Sequence, residues 1–310
     1  MVGLTPMSSK SNRRRFLKTT LLAGTGLTTL CTFVEGAEPF KRKGSPRFPL
    51  SIAAYSFRDY FNAKDPAKKL TLFDFVDYCA DQGCQGAELT SYYFPKKVET
   101  QFLLEVKRHA FLRGIEISGS AVGNNFALAK GEKRDQQIAM VKEWVDHSAI
   151  MGAPHIRVFA GSKGAMDFNE AKKLCIEGLE ECSDYAGQKG IFLGLENHHG
   201  IVTEPEDLLE IVRSVRSPWF GINLDTGNFQ TDDPYADLAK CAPYAVNVQV
   251  KVEVKRRAQT TAEPTDYSKI AKLLRDANYQ GYVALEYEAK EDAFKAIPSA
   301  LKSIKAALAI

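Results

Sequence analysis

The chain has 310 residues, of which 45% are hydrophobic and 25% charged, and its formal net charge is +3. This is an ordinary globular composition. Residues 1–37 contribute five basic and one acidic side chain, which leaves a net charge of −1 for the rest of the chain. A near-neutral remainder has no electrostatic footprint for nucleic acid or for an anionic membrane, so we expect no nucleic-acid partner.

The N-terminal segment has the features of a twin-arginine export signal. Three arginines, Arg13, Arg14 and Arg15, precede a moderately apolar run over residues 19–34. The run is short and contains glycine, which favours a cleaved signal over a membrane anchor. We therefore predict a signal over residues 1–37, recognition by the twin-arginine export machinery, and a periplasmic or otherwise exported protein.

Five cysteines follow that segment, an odd number without the spacing of a metal site. Most of them fall in segments that we interpret as helices, which favours buried free thiols over disulfides. Twin-arginine export carries folded proteins, so a domain without disulfides agrees with this route.

Strand and helix patterns alternate after a Lys/Arg/Pro linker over residues 38–49. Apolar strands are predicted at 50–57, 86–90, 115–122, 155–160, 191–196, 220–225, 245–251 and 282–286. Helices are predicted at 67–82, 98–113, 133–151, 169–189, from a capping-box pattern at Thr203, and at 235–241, 267–277 and 292–308. No G-x-G-x-x-G follows the first strand. Eight such units predict an α/β fold, a single (β/α)8 TIM barrel over residues 50–310.

Oxygen donors occupy the C-terminal ends of the later strands, in the residues Glu196, Asp225, Gln249 and Glu286. Strand alternation directs all four side chains inward, and the active sites of such barrels lie at this end. Three carboxylates in one pocket repel one another unless a cation lies among them. The all-oxygen set therefore predicts a divalent metal ion, Mn²⁺, Mg²⁺ or Co²⁺ in preference to Zn²⁺.

Three motifs resemble the sugar phosphate isomerase/epimerase family of xylose isomerase-like barrels. They are the E-N-H at 196–198, the L-D-T-G-N at 224–228 and the strand-end Glu286. The resemblance covers nearly all of the chain after the signal. It implies that Glu196, Asp225 and Glu286 bind the metal, with Gln249 in the place of a common histidine.

The same resemblance implies substrate contacts from His198 and Arg157, and an acid/base role for the two metal-bound glutamates. Asn228 stands where epimerases of this type often carry a histidine, and we include it as a substrate contact. Lys251 either belongs to the site or forms a structural ion pair with a glutamate such as Glu286. Strand alternation also directs the Glu88 side chain into the barrel, where it either contacts substrate or pairs with an inner cation such as Arg157.

These observations favour a metal-dependent isomerase or epimerase that acts on a keto-sugar or glycoside derivative through an enediolate. Export would remove access to cytoplasmic sugar phosphates, so we expect an unphosphorylated carbohydrate substrate. The alternatives are a keto-sugar lyase or dehydratase on the same barrel, and a non-catalytic sugar-binding protein. A DNA-repair endonuclease is disfavoured, because it needs a histidine-rich zinc cluster and a basic groove. Self-association as a homo-oligomer is left open.

Overall fold

A computed structural model describes residues 36–309, and the predicted export motif lies outside them. Eight parallel strands form a closed barrel in the order β1-β10-β7-β6-β5-β4-β3-β2. The strands are β1 (Leu50–Ala53), β2 (Gly86–Thr90), β3 (Glu116–Ala121), β4 (His155–Val158), β5 (Phe192–Glu196), β6 (Phe220–Asp225), β7 (Ala245–Val250) and β10 (Val283–Leu285). The predicted (β/α)8 barrel is therefore confirmed.

Helices follow the strands and cover the barrel from outside. They are α1 (Arg58–Phe61), α2 (Leu72–Asp81), α3 (Thr100–Leu112), α4 (Glu132–Met151), α5 (Phe168–Gln188), α6 (Pro205–Ser214), α7 (Pro234–Cys241), α8 (Tyr267–Asp276) and α9 (Ala293–Leu308). A small antiparallel hairpin, β8 (Glu253–Val254) and β9 (Glu263–Pro264), interrupts the series after β7. No helix among residues 36–309 is both long and apolar enough to cross a membrane.

The hydrophobic core lies between the strands and the helices. Ile52, Leu89, Leu193, Leu195 and Ile222 have at most a trace of exposed surface and belong to it. Outward-facing aliphatic residues alternate along β2, β6 and β7 with inward-facing polar ones, because successive strand residues point to opposite faces. The same alternation therefore supplies both the packing of the barrel and its polar interior. The five described cysteines are free and buried, as predicted.

Three local predictions were wrong. The first strand ends at Ala53, and a 3₁₀ turn over Ala54–Phe57 follows it. Helix α2 begins at Leu72, several residues later than predicted, because Thr71 and Asp74 form a capping box there. Helix α6 begins at Pro205, and the Thr203 hydroxyl donates to the Gly200 carbonyl instead of capping it.

The segment predicted as a linker packs against the barrel. The Phe40 amide donates to the Pro243 carbonyl, and its ring lies edge-on to Phe192 at 5.9 Å. Arg47 and Gln280 form a parallel bridge beside β10. Residues 38–49 thus cover the N-terminal end of the barrel and leave the opposite end open.

Candidate active site

A cavity of about 410 Å³ opens at the C-terminal ends of the strands, within the range of roughly 300–1,000 Å³ that small-molecule sites occupy. Its lining consists of Tyr55, Tyr92, Arg157, Phe159, Glu196, His198, His199, Asn228, Lys251, Glu286 and Glu288. Six of the predicted site residues, Arg157, Glu196, His198, Asn228, Lys251 and Glu286, are therefore brought together. Asp225 lies against this group and is fully buried.

The last residue of β5, Glu196, is fixed through both carboxylate oxygens. Asn228 donates its side-chain amide to Oε1 at 2.8 Å, and Arg157 Nε lies 2.9 Å from Oε2. Arg157 is itself held by the Val122 carbonyl at 2.7 Å and by the face of Phe159, 4.0 Å from the ring centroid. Asn228 and Arg157 therefore determine how the Glu196 carboxylate faces the cavity.

A second carboxylate group surrounds Lys251, which follows strand β7. The Lys251 ammonium lies 3.2 Å from Asp225 Oδ2 and contacts the carboxylates of Glu286 and Glu288. Of these partners only Glu288 is substantially exposed, with 39% of its side chain accessible. The predicted alternative for Lys251, an ion pair with Glu286, is thus what the structure contains, and Asp225 and Glu288 join it.

Burial and these ion pairs shift the proton affinities of the two glutamates in opposite directions. Burial raises the pKa of Glu196 well above its usual value, against the opposing charge of Arg157. Burial also favours the neutral form of Glu286, but the adjacent Lys251 ammonium outweighs it and lowers the pKa of that carboxyl. Burial lowers the pKa of His198 to about 4, so its imidazole is neutral near pH 7.

The structure places Gln249 and Glu88 below the cavity, which corrects two predictions. The Gln249 amide donates to Glu88 Oε1 at 2.6 Å, and its Oε1 accepts from Asn223 at 2.6 Å. Asn247 donates to the other oxygen of Glu88 at 2.8 Å. Both predicted residues are almost completely buried. Glu88 therefore does not line the cavity, and the oxygen expected to ligate a metal is already engaged by Asn223.

A divalent metal does not fit this arrangement of residues. The space among the Asp225 and Glu286 carboxylates is filled by the Lys251 ammonium, and Glu196 is paired with Arg157. The side-chain oxygen of the fourth predicted donor, Gln249, points below the cavity and accepts a hydrogen bond from Asn223. Within residues 36–309, no three His, Cys, Asp or Glu side chains are arranged to hold a metal ion. The donor set expected for a metal is present in the sequence but is arranged around two organic cations.

The middle residue of the E-N-H motif has a structural role that the sequence reasoning missed. Asn197 donates its amide to the Asp225 carbonyl at 2.8 Å and accepts from the Asp225 amide at 2.8 Å. Asn197 is 1% exposed. It therefore joins the end of β5 to the end of β6, and so fixes Glu196 relative to Asp225.

The sequence reasoning also missed Tyr55, Tyr92, Phe159 and Glu288 in the cavity lining. Tyr55 and Tyr92 lie edge to face with ring centroids 6.4 Å apart. They come from 3₁₀ turns after β1 and β2, where strand periodicity gives no signal. The repeated Glu at 286 and 288 was a signal that could have identified Glu288.

Comparison with known proteins agrees with the barrel fold described above. The family model described as a xylose isomerase-like TIM barrel matches residues 76–307. A Xenopus laevis protein named "Putative hydroxypyruvate isomerase" is 24% identical in an alignment of 179 positions, which covers 53% of this chain and 65% of that protein. The chain thus matches just under two thirds of the length of this relative.

Two solved structures share the fold at low identity. D-psicose 3-epimerase from Clostridium cellulolyticum, crystallised with D-tagatose, has a TM-score of 0.69 and 15% identity, covering 84% of this chain and 99% of its own. The 3-keto-D-glucoside 4-epimerase from E. coli has a TM-score of 0.65 and 16% identity, covering 84% of this chain and 100% of its own. At such identities the likeness establishes the barrel fold.

Proposed function

The chain belongs to the family of xylose isomerase-like TIM barrels, and on that premise we propose that it is an isomerase or epimerase of an unphosphorylated keto-sugar or glycoside derivative. One observation carries the proposal: two buried glutamates, Glu196 and Glu286, face one cavity from different sides. In the barrel order β6 and β7 separate their strands, β5 and β10. Two carboxylates so placed can reach a bound carbon from two directions.

The proposed reaction is a proton transfer at a carbon next to a carbonyl group. One glutamate carboxylate takes the proton, the C–H electron pair forms the C=C bond of an enediolate, and the carbonyl electrons move to oxygen. Return of a proton to carbon restores the carbonyl group, so no oxidant or reductant is needed. Delivery from the opposite face inverts the centre. Delivery to the former carbonyl carbon, with transfer of the adjacent hydroxyl proton to the former carbonyl oxygen, moves the carbonyl.

The charges of the cavity favour a neutral substrate over a phosphorylated one. Its two cations, Arg157 and Lys251, are both paired with carboxylates. Three acidic side chains of the lining, Glu196, Glu286 and Glu288, thus outnumber them, and Asp225 adds a fourth just behind the lining. A phosphate group would need an uncommitted cation or helix N-terminus, and the described lining offers no such cation. Carbohydrate hydroxyls, in contrast, can donate to the carboxylates.

Sugar recognition is also supported by the aromatic and amide groups of the cavity. Tyr55, Tyr92 and Phe159 present ring surfaces to it, and His198 and Asn228 offer polar groups. Mixed apolar and hydrogen-bonding surfaces suit a sugar, which has both C–H faces and hydroxyl edges. The twin-arginine motif agrees with this substrate class, because an exported enzyme would not meet cytoplasmic sugar phosphates.

Solvent exchange tests the proposal directly. The purified protein is incubated in deuterated buffer with a panel of keto-sugars and 3-keto-glycosides, and NMR records deuterium at the carbon next to the carbonyl. Glu196→Gln and Glu286→Gln should each lower exchange by about 10²- to 10⁴-fold, the usual contribution of a positioned acid/base group. Glu105→Gln, at an exposed position on α3, is the matched control and should behave as the unchanged protein.

The panel also separates the proposal from its competitors. Exchange with interconversion of two sugars supports an isomerase or epimerase, whereas loss of a β-substituent identifies a lyase. Binding of the sugars without any exchange would contradict an enzymatic role. Exchange that persists at near-normal rates in both glutamine variants would exclude these two glutamates as the acid/base groups.

A further inference from the structure

We propose that the ammonium group of Lys251 serves as the permanent cation of this site, in the position where the family resemblance implies a divalent metal ion. The catalytic part of this inference rests on the proposed function, but the part that concerns metal binding does not. The inference is that the chain keeps the carboxylates of a metal site and pairs them with cations of its own side chains.

The first support is the set of contacts around the ammonium. Three carboxylates, from Asp225, Glu286 and Glu288, surround Lys251 Nζ within 3.2 Å. Two of them belong to the set predicted to hold the metal. The side chain of Lys251 is 9% exposed, so the pairs are shielded from water. A buried ammonium is held in place by such pairing, because an unpaired charge in the protein interior is strongly destabilising.

The second support is that the backbone at position 251 is held in place beside the cluster. The Lys251 amide donates to the Thr226 hydroxyl at 2.9 Å, and its carbonyl accepts from the Thr265 hydroxyl at 2.8 Å. A Cβ added at Gly227 would lie 2.6 Å from Lys251 Cγ and 2.8 Å from its Cβ. The two threonines therefore fix the backbone of residue 251, and the glycine leaves room for the first carbons of the lysine side chain.

The third support comes from the position expected to provide the fourth metal ligand. Gln249 is committed to Glu88 and Asn223, and its carbonyl oxygen is not directed at the cluster. A metal ion bound by Asp225 and Glu286 would therefore lack the Gln249 oxygen as a ligand. It would also lie next to the Lys251 ammonium, which already contacts both carboxylates. Like charges at such distances repel strongly when both are buried.

Lys251 can take part in the proposed reaction through its most exposed partner. Glu288 lies at the cavity surface, so a substrate carbonyl oxygen can replace its carboxylate on the ammonium while Asp225 and Glu286 remain in place. The ammonium would then lie beside the oxygen that becomes negative when the carbon loses its proton. This is the electrostatic stabilisation that a metal ion would otherwise supply.

Metal binding is tested first, without any substrate. The protein purified in buffer without chelators is assayed for bound metal by plasma mass spectrometry, and Mn²⁺, Mg²⁺, Co²⁺ and Zn²⁺ are titrated calorimetrically. The variants are Lys251→Met, Lys251→Arg, Gln249→His and the double variant Gln249→His/Lys251→Met. Lys255→Met, which removes an equal charge from the loop after β8, is the matched control.

We expect less than stoichiometric metal and no saturable titration for the unchanged protein, Lys251→Arg, Gln249→His and Lys255→Met. Lys251→Met should instead show a saturable titration, because the Asp225 and Glu286 carboxylates then lose the ammonium that lies between them. The double variant should bind still more tightly, because imidazole is a better donor than a glutamine carbonyl for transition metals. Circular dichroism and thermal denaturation confirm that each variant is folded.

Two results would overturn the inference. One is a stoichiometric metal ion in the unchanged protein, removed by a chelator and restored by titration. The other is a folded Lys251→Met variant that gains no metal affinity. If that variant does not fold, Lys251→Arg still decides, since a saturable site in its presence would show that a cation at 251 does not occupy the metal position.

The catalytic role of Lys251 is tested second. The results distinguish a failure of this role from a failure of the proposed function. Once a substrate shows exchange, chelator should leave the rate unchanged, and Lys251→Met should lower it by about 10²-fold or more. Rates that fall on chelation would refute the role of Lys251 while leaving the isomerase proposal intact. Absence of exchange with every sugar would refute the proposed function and leave the metal-binding result standing.

Discussion

Replacement of Asn197 by alanine should loosen the connection between strands β5 and β6 at the mouth of the barrel. The Asn197 side chain makes two hydrogen bonds of 2.8 Å, one to the amide and one to the carbonyl of Asp225. Asn197 and Asp225 are buried, so the freed backbone groups cannot simply bind water. Both functional carboxylates that end these strands, Glu196 and Asp225, should lose their fixed separation.

The size of the effect follows from the number of groups left unpaired. An unsatisfied buried donor or acceptor costs about 1–3 kcal/mol, and two such groups with some relaxation lower the free energy of unfolding by about 2–4 kcal/mol. For a domain of this size each kcal/mol lowers the melting temperature by roughly 2–4 °C, so the total decrease should be about 5–15 °C.

Differential scanning calorimetry measures this decrease in melting temperature. Incorporation of solvent deuterium into the substrate measures the accompanying loss of activity. Asn62→Ala is the matched control, because Asn62 is exposed and its side chain makes one hydrogen bond, to the Arg58 carbonyl at 2.8 Å. Its melting temperature should change little, since exposed hydrogen bonds are readily replaced by water. A decrease for Asn197→Ala no larger than that of Asn62→Ala would refute the bridging role.

Three further predictions concern other parts of the chain. Gly227→Ala should displace Lys251, because the added Cβ would lie 2.6 Å from Lys251 Cγ, and should cost about 1–3 kcal/mol of unfolding free energy in urea denaturation; an unchanged midpoint would contradict this packing. Arg13→Lys/Arg14→Lys should retain the protein in the cytoplasm on cell fractionation, and continued export would contradict the predicted signal. The five described cysteines are buried, and burial raises the thiol pKa of Cys84 to about 11 and that of Cys241 to about 12. Their thiols should therefore react with a thiol reagent at pH 8 only after unfolding, and rapid labelling of the native protein would contradict this.

The order of strands and helices could be predicted from the sequence because periodicity is a local property. Alternation on β5, β6, β7 and β10 identified the inward faces correctly, and Glu196 and Glu286 were assigned to the mouth on that basis. Parity states which side of a strand a residue faces, and it gives no depth along the barrel axis. Glu196 and Gln249 therefore looked equivalent in the sequence although they lie in different layers.

Depth is set by the stagger between strands. Ala284 on β10 pairs with Gln249 on β7, so Glu286, two residues further, lies level with Lys251, two residues beyond Gln249. This register makes lysine the neighbour of the strand-end glutamate. Register depends on long-range pairing around a closed barrel, and no single segment of the sequence contains it.

The loops after the strands were the other source of error. Extending the alternation of β5 by three residues would direct His199 outward, but β5 ends at Glu196 and His199 lines the cavity. Tyr55 and Tyr92 lie in 3₁₀ turns, where alternation no longer applies. Predictions from strand parity are reliable only within the strand itself.

The missing side chain at Gly227 limits which residues this part of the site accepts. A Cβ at 227 would lie 2.6 Å from Lys251 Cγ, 2.8 Å from Lys251 Cβ and 3.0 Å from the Glu253 carbonyl oxygen. Shortening residue 251 removes only the first of these contacts, because every residue except glycine keeps its Cβ. Position 227 therefore stays restricted even when the internal cation is lost, and a library that varies position 227 should favour glycine with either lysine or alanine at 251.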